Sequence, residues 1–340
     1  MKIARHASTA HQHLSKLKTV AVIGSGLMGS GIAQTAVQYG YSVNLVDSNQ
    51  SAITKATSKI NKNLTRLGEK KFAENKSEAQ KYVDSCMSNL HSFSDLEKAI
   101  SQADLIIEAI VETMDAKHKL FRELDQRARA DCYLASNTSS LSLKEISTVI
   151  SRKERFGGLH FFNPVPVLKL VEVIRTSETS DDTFQVLTQF AASLDKTPVA
   201  CRDTPGFIVN RLLIPYLIEA VALAERGDAS LSDVDVSMKL GAGYPMGPFE
   251  LSDFIGLDTV KLVMRCPPML ARLVAEGKLG RKTGEGFFKY DNPCWVYPTI
   301  DTAQQTVLFL DGTTGNGSDV LMFAHTSFDT HHIIHHDNVA

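Results

Sequence analysis

The sequence predicts an α/β chain, a doubly wound sheet followed by an all-helical C-terminal domain. Three observations carry this. Short β-branched runs alternate with helical segments from Thr19 to Cys201. The first of these runs ends in a glycine-rich turn that opens a helix. Beyond Asp203-Thr204-Pro205-Gly206 the strand signal stops and the pattern is helical.

The chain has 340 residues, room for about two domains that each bury a core. Lys2, Arg5, Lys16 and Lys18 all precede the first acid, Asp47. Residues 1–17 therefore read as a basic extension, either a presequence remnant or a disordered head. The sheet domain is expected over 18–203. Thr19–Gly24 is its first buried strand and runs into Gly24-Ser25-Gly26-Leu27-Met28-Gly29, after which Gly31–Gln38 continues as helix. Ser42–Val46 makes a second strand ending in Asp47, eighteen residues past Gly29.

Strand, GxGxxG, helix, strand and acid in this order define a Rossmann-type dinucleotide site. Gly24 serves the tight turn, Gly26 the close approach of backbone N–H groups to a pyrophosphate, and Gly29 the helix–strand packing. Leu27 and Met28 complete the loop. Asp47 is placed to accept hydrogen bonds from ribose hydroxyls, and Ser48-Asn49-Gln50 offer no arginine for a 2′-phosphate, which favours NAD over NADP.

Lys59–Lys81 is rich in Lys and Asn and reads as a solvated helix broken near Gly68; the alternative is that Lys70 and its neighbours meet an anionic handle such as a phosphorylated nucleotide. Leu105–Val111, ending at Glu112, and Cys132–Ala135, followed by Ser136-Asn137-Thr138-Ser139-Ser140, are later parallel strands. Loops at the carboxyl ends of such strands face the ligand crevice, which directs Glu112 and the Ser139 loop toward it; the serine cluster also suits a plain helix N-cap. Ser180–Leu194 is expected as a helix and Pro198–Cys201 as the last strand.

The helical domain is expected over 204–290. Phe207–Leu223 is apolar nearly all round and calls for burial between domains or subunits. Asn210 is a lone amide there, either a satisfied core residue or a donor to a substrate oxygen in the interdomain cleft. Leu240–Asp253 is a Gly/Pro loop leading to a helix, and Leu279–Tyr290 ends the globular pattern.

Gly158–Val173 reads GLHFFNPVPVLKLVEV and places His160, Asn163 and Glu172 close together. Glu172 lies in an otherwise apolar run, where a carboxylate is costly unless a cation or donor meets it. Of eleven histidines, all but His91, His118 and His160 lie in the head or the tail. His118 is expected to be exposed on a charged helix and His91 to lie in a loop. His160 ends a strand with a carboxylate near, as a general base oriented by that carboxylate would. A satisfied core histidine is the plainer reading.

The segments VAVIGSGLMGSGIAQ, LIIEAIVE, ASNTSSL, GLHFFNPVPVLKLVEVI, DTPGFIVNRLL, LGAGYPMGPFEL and KTGEGFFKY occur in this order and together resemble short-chain L-3-hydroxyacyl-CoA dehydrogenase of mitochondrial β-oxidation. The resemblance spans Lys18 to Tyr290. It implies an NAD-binding Rossmann domain, a helical dimerisation domain, an acyl-CoA substrate and, with the basic head, a mitochondrial matrix location; the cytoplasm is the alternative. It implies His160 as catalytic base, Glu172 as its orienting group, and Ser139 and Asn210 at the substrate's 3-oxygen and thioester. Asp47, Glu112, Lys117, Ser139, Asn163 and Lys282 match NAD contacts. Lys70 and Ser139 match coenzyme A contacts, and Asn63 stands where a serine is familiar.

Two regions depart from the family. The connection through Met264–Pro268 is shortened before Leu270, which bears on the expected homodimer. Residues 291–340 extend beyond the family's end, lack Lys and Arg, and are expected to be disordered; His331–His336 there contains paired imidazoles that suit a metal. Net charge is −2, which gives no bulk attraction to nucleic acid or membrane. No apolar run approaches the roughly 20 residues of a membrane span. Five scattered cysteines without CxxC favour a reducing compartment. Two other functions stay open, an NAD-binding structural relative without turnover, as in crystallin-like proteins, and a dehydrogenase of another hydroxy acid.

Overall fold

Strands β1 (Thr19–Ile23), β2 (Ser42–Val46), β3 (Leu90–Phe93), β4 (Leu105–Glu108), β5 (Tyr133–Ser136), β6 (Phe156–Phe161), β7 (Leu170–Arg175) and β8 (Thr197–Arg202) form one sheet, ordered β3-β2-β1-β4-β5-β6-β7-β8. The computed structural model describes residues 17–257, 260, 268–290, 299–301 and 306–308. Pairing is parallel from β3 across to β6; β7 runs antiparallel to β6, and β8 is parallel to β7. The order reverses between β1 and β4, and the crevice of a doubly wound sheet opens at such a point.

Both faces of the central strands are covered, which is why β1, β2, β4, β5 and β6 are buried almost throughout. Val20, Val22, Val43, Leu45, Leu105 and Ile107 pack on one side with helices α1 (Leu27–Gln38), α2 (Gln50–Lys71) and α3 (Lys76–Ser88). Ala21, Ile23, Ile106 and Leu134 pack on the other with α4 (Leu96–Ile100), α5 (Met114–Arg127) and α6 (Leu143–Ile146). Helix α7 (Asp181–Ser193) returns to the first side through Val186, Leu187 and Phe190.

After β8 the chain is helical: α8 (Val209–Glu225), α9 (Leu231–Ala242), α10 (Pro248–Ile255) and α11 (Pro268–Ala275). Two buried aspartates fasten this part. Asp235 accepts from the Phe249 and Glu250 N–H groups at 2.8 and 3.1 Å, satisfying donors that a helix start leaves open. Asp253 accepts from Phe287 N, Phe288 N and Tyr290 Oη at 2.8, 2.8 and 2.9 Å, closing the last loop. Burial pushes both carboxyls up from their ordinary range, although the donors oppose it.

Four expectations are corrected. The helix through Gly68 is not broken there: it runs from Gln50 to Lys71, and the break follows it. Gly68 instead lets two helices close, because a Cβ on it would lie 3.0 Å from the Ala79 carbonyl oxygen. His91 lies on edge strand β3, paired parallel with Asn44 of β2, not in a loop. His118 is half-buried, with Nε2 2.9 Å from the Glu145 carbonyl oxygen. The apolar α8 is buried on one face only, through Ile214, Leu217, Ala220 and Val221, while Leu212 is 70% exposed.

Residues Thr299–Asp301 and Thr306–Leu308 pair antiparallel as β9 and β10 in a separate unit. The head at 1–16, most of the shortened connection around Met264 and the His331–His336 cluster lie outside the described residues.

Candidate active site

The glycine turn is built as its spacing requires. Gly24 has φ +103°, and a Cβ there would stand 2.3 Å from the Ala109 carbonyl oxygen. At Gly29 a Cβ would stand 1.8 Å from the Gly24 oxygen, whereas Gly26 faces open space. The outer glycines thus permit tight packing, and the middle one leaves backbone N–H groups approachable at the start of α1. Asp47, at the end of β2, accepts from Ser25 N and Oγ, both at 2.8 Å, which ties the acid to the turn. Burial alone would raise its pKa, but bonds from Ser25 and Asn49 outweigh it and hold the carboxyl below the usual range. These residues fit a dinucleotide. Gly24→Ala is expected to weaken NADH binding at least about tenfold, because backbone strain and overpacking at such a site cost on the order of 1–3 kcal/mol each. Fluorescence titration with NADH checks it; unchanged affinity would contradict the assigned role of the turn.

His160 and Glu172 are directly opposed residues of the antiparallel β6–β7 pair. Nδ1 of His160 lies 2.7 Å from Glu172 Oε2, and the residues are 5% and 0% exposed. The other carboxylate oxygen accepts from Ile208 N and Val209 N at 3.0 and 2.9 Å, where α8 begins. Burial acts to raise the Glu172 pKa, yet these three partners prevail and hold it below the ordinary range. The Phe162 and Phe207 rings flank the imidazole at centroid distances of 4.4 and 5.5 Å. Phe207 itself has φ +50°, a left-handed conformation uncommon outside glycine, at the corner where the chain enters α8. With Nδ1 committed to the carboxylate, Nε2 is the nitrogen left for proton transfer.

Glu112 gathers the Ser139 loop. Its Oε1 accepts from Thr138 Oγ1 at 2.5 Å, Ser139 N at 2.9 Å and Ser140 N at 3.3 Å. Lys117 is 1% exposed and bridges Glu112 and Glu108 at 3.0 and 2.6 Å. Desolvation would raise the Glu112 pKa, but Lys117 and these donors lower it. Asn210 Nδ2 reaches the Ser139 carbonyl oxygen at 3.4 Å, and Asn137 Oδ1 accepts from Phe161 N at 2.9 Å, beside His160.

Asn163 precedes a cis proline and lines a groove of about 640 Å³ with Leu27, Lys59, Lys62, Asn63 and Arg66. Asn63 donates to Gln34 Oε1 at 3.0 Å. Lys70 lies further along α2, exposed and outside that lining. Met28 packs on the core, partly buried, and Lys282 sits on a short turn, Arg281–Thr283. Sequence reasoning missed Glu108 and Lys196. The Lys196 ammonium is buried and donates to the Val165 and Leu168 carbonyls at 2.6 and 2.8 Å, anchoring the groove's wall. Burial, with Lys169 nearby, lowers its pKa to about 8.

A doubly wound sheet with a dinucleotide turn and a carboxylate-held histidine at its crevice defines a nicotinamide-dependent oxidoreductase. The family model "3-hydroxyacyl-CoA dehydrogenase, NAD binding domain" matches residues 19–204, and "3-hydroxyacyl-CoA dehydrogenase, C-terminal domain" matches 206–290. The chain belongs to the 3-hydroxyacyl-CoA dehydrogenase family. It is 49% identical to the mitochondrial hydroxyacyl-coenzyme A dehydrogenase of Homo sapiens, with 85% of this chain and 97% of that protein covered. The corresponding protein of Rattus norvegicus is 50% identical, with 81% and 91% covered. Among solved structures, (S)-3-hydroxybutyryl-CoA dehydrogenase PaaH1 from Ralstonia eutropha superposes with a TM-score of 0.76 at 37% identity, covering 82% of this chain and all of that one.

Proposed function

We propose that this chain oxidises the 3-hydroxyl of L-3-hydroxyacyl-CoA to a ketone with NAD, and reverses the reaction with NADH. The observation that carries the reading is the His160–Glu172 pair on the same sheet as a dinucleotide turn, His160 near the carboxyl end of β6 and the turn at the carboxyl end of the parallel β1, in a chain of this family. When bound, NAD supplies the hydride acceptor. His160 Nε2 takes the hydroxyl proton as oxidation proceeds, which avoids a free alkoxide. Glu172 keeps the proton on Nδ1 and stabilises the imidazolium that forms, as the acid of a hydrolase triad does. Ser139 and Asn210 donate to the substrate's 3-oxygen and thioester region. Asp47, Glu112, Lys117, Asn163 and Lys282 serve the cofactor.

Three cations, Lys59, Lys62 and Arg66, share the groove with Asn63, which supports an anionic substrate handle such as coenzyme A; Lys70 extends the same helix. Leu212, Val236, Leu240 and Tyr244 are exposed apolar or aromatic side chains of the helical part, which supports a homodimer through that part. The mitochondrial naming of the relatives supports a matrix location.

Adding acetoacetyl-CoA and NADH and following the NADH absorbance tests the activity. Consumption well above that of a His160→Ala control is expected. A rate no higher than the control would defeat the enzyme reading and favour an NAD-binding relative without turnover, and a preference for free hydroxy acids would defeat the coenzyme A assignment.

A further inference from the structure

Glu108 is fully buried at the end of β4, next to the point where the strand order reverses. Its Oε1 accepts from Lys117 Nζ at 2.6 Å and Ile110 N at 2.9 Å, and its Oε2 accepts from Ser136 Oγ at 2.6 Å. Two arms leave it. One passes through Lys117 to Glu112 Oε2 at 3.0 Å, and from Glu112 Oε1 to Ser139 N. The other passes through Ser136, whose Oγ accepts from Thr138 N at 3.2 Å, while Thr138 Oγ1 closes the circuit on Glu112. Both arms meet at the Ser139 loop, and Asn210 and Asn137 connect that loop to α8 and to β6.

We infer that Glu108 is a positioning residue: it touches no reacting atom, and it fixes Lys117 and Ser136 so that Glu112 and Ser139 stand together at the crevice. This deepens the proposed function and rests on its assignment of Ser139 and Glu112 to the site. Lys117 is a buried cation between two carboxylates, so withdrawing one leaves it bound to Glu112 alone. Glu112 is then drawn toward Lys117, and its grip on the Ser139 and Ser140 N–H groups weakens. Asp47 bonds to Ser25 outside this circuit, while Gly24 packs on Ala109 and Ile110, and Glu108→Gln keeps an oxygen that can still accept from Ile110 N.

The test is kinetic, on the full chain with acetoacetyl-CoA and NADH, alongside NADH affinity by fluorescence and melting temperature. Glu108→Gln is expected to lower kcat about ten- to a hundredfold, the scale on which a small misplacement of site groups acts. The NADH dissociation constant is expected to rise by a smaller factor than kcat falls, because Lys117 and Glu112, which serve the cofactor, shift while Asp47 keeps its own bonds to the glycine turn. Glu108→Gln and Lys117→Met are expected to be non-additive, the double variant being no slower than the slower single one, because both break one circuit. Unchanged kcat in Glu108→Gln, or fully additive losses, would overturn the inference. So would a loss restored at temperatures well below melting, which marks a stability effect alone. If Glu108→Gln does not fold, Ser136→Ala cuts only the second arm, and an unaltered kcat there overturns it equally. A wild-type chain without turnover would defeat the functional reading separately. The circuit would then be judged on Ser139-loop amide exchange, which should quicken in Ser136→Ala, and unchanged exchange would overturn it.

Discussion

Replacing His160 by alanine is expected to lower kcat about 10²- to 10⁴-fold, the usual contribution of a positioned general acid–base. Binding of NADH should stay near wild type, because the glycine turn and Asp47 are fastened to one another by bonds separate from the His160–Glu172 pair. The variant removes one ring from a packed cluster with Phe162 and Phe207 and strands the buried Glu172 Oε2, so its melting temperature should fall, while the β6–β7 ladder and the Ile208 and Val209 bonds to Glu172 stay in place. Stopped-flow single turnovers separate the chemical step from release. A chemical step within a factor of three of wild type would remove His160 from the mechanism.

Glu172 carries the second large effect, and it divides between chemistry and stability. Glu172→Gln keeps the shape but removes the charge that fixes the imidazole tautomer, and a loss of about 10²- to 10⁴-fold in kcat is expected by analogy with triad acids. Glu172→Ala also strands the Ile208 and Val209 N–H groups and should destabilise the fold by about 3 kcal/mol, the scale of unsatisfied buried donors. The native carboxyl titrates below its ordinary range, so its contribution to stability is complete above the unfolded value of about 4.3. It is lost as pH falls through the lower folded value. The melting temperature of the wild type should therefore drop more steeply on acidification in that window than that of Glu172→Gln. Parallel curves for the two proteins would show that the carboxylate is not held by these partners.

The sheet was legible because a buried parallel strand leaves a short apolar run, and the glycine turn was legible because its two tight contacts tolerate no side chain. The His160–Glu172 contact was legible for a different reason: a carboxylate in an apolar run demands a partner. The same reasoning applied to LIIEAIV would have singled out Glu108, which was passed over in favour of Glu112. Strand β3 carries two exposed positions in four and no β-branched residue, so its pairing is set by β2 and not by its own propensity. Gly68 looked like a helix breaker, because what it accommodates is the neighbouring helix, a fact of tertiary contact that no local window contains. Lys196 gave no signal, since its partners are two main-chain carbonyls about thirty residues away.

The antiparallel register that sets His160 opposite Glu172 has a consequence for variation. The distance between base and acid is an inheritance of the ladder, while the loop between them carries Asn163 and walls the groove. Lengthening or re-shaping that loop can therefore retune what the groove admits without detuning the proton acceptor. A one-residue slip within either strand would do the opposite, turning one partner to the far face of the sheet and leaving the groove intact around a silent centre. Substrate range and catalytic competence are thus written in separate parts of one hairpin, and either can drift while the other is held.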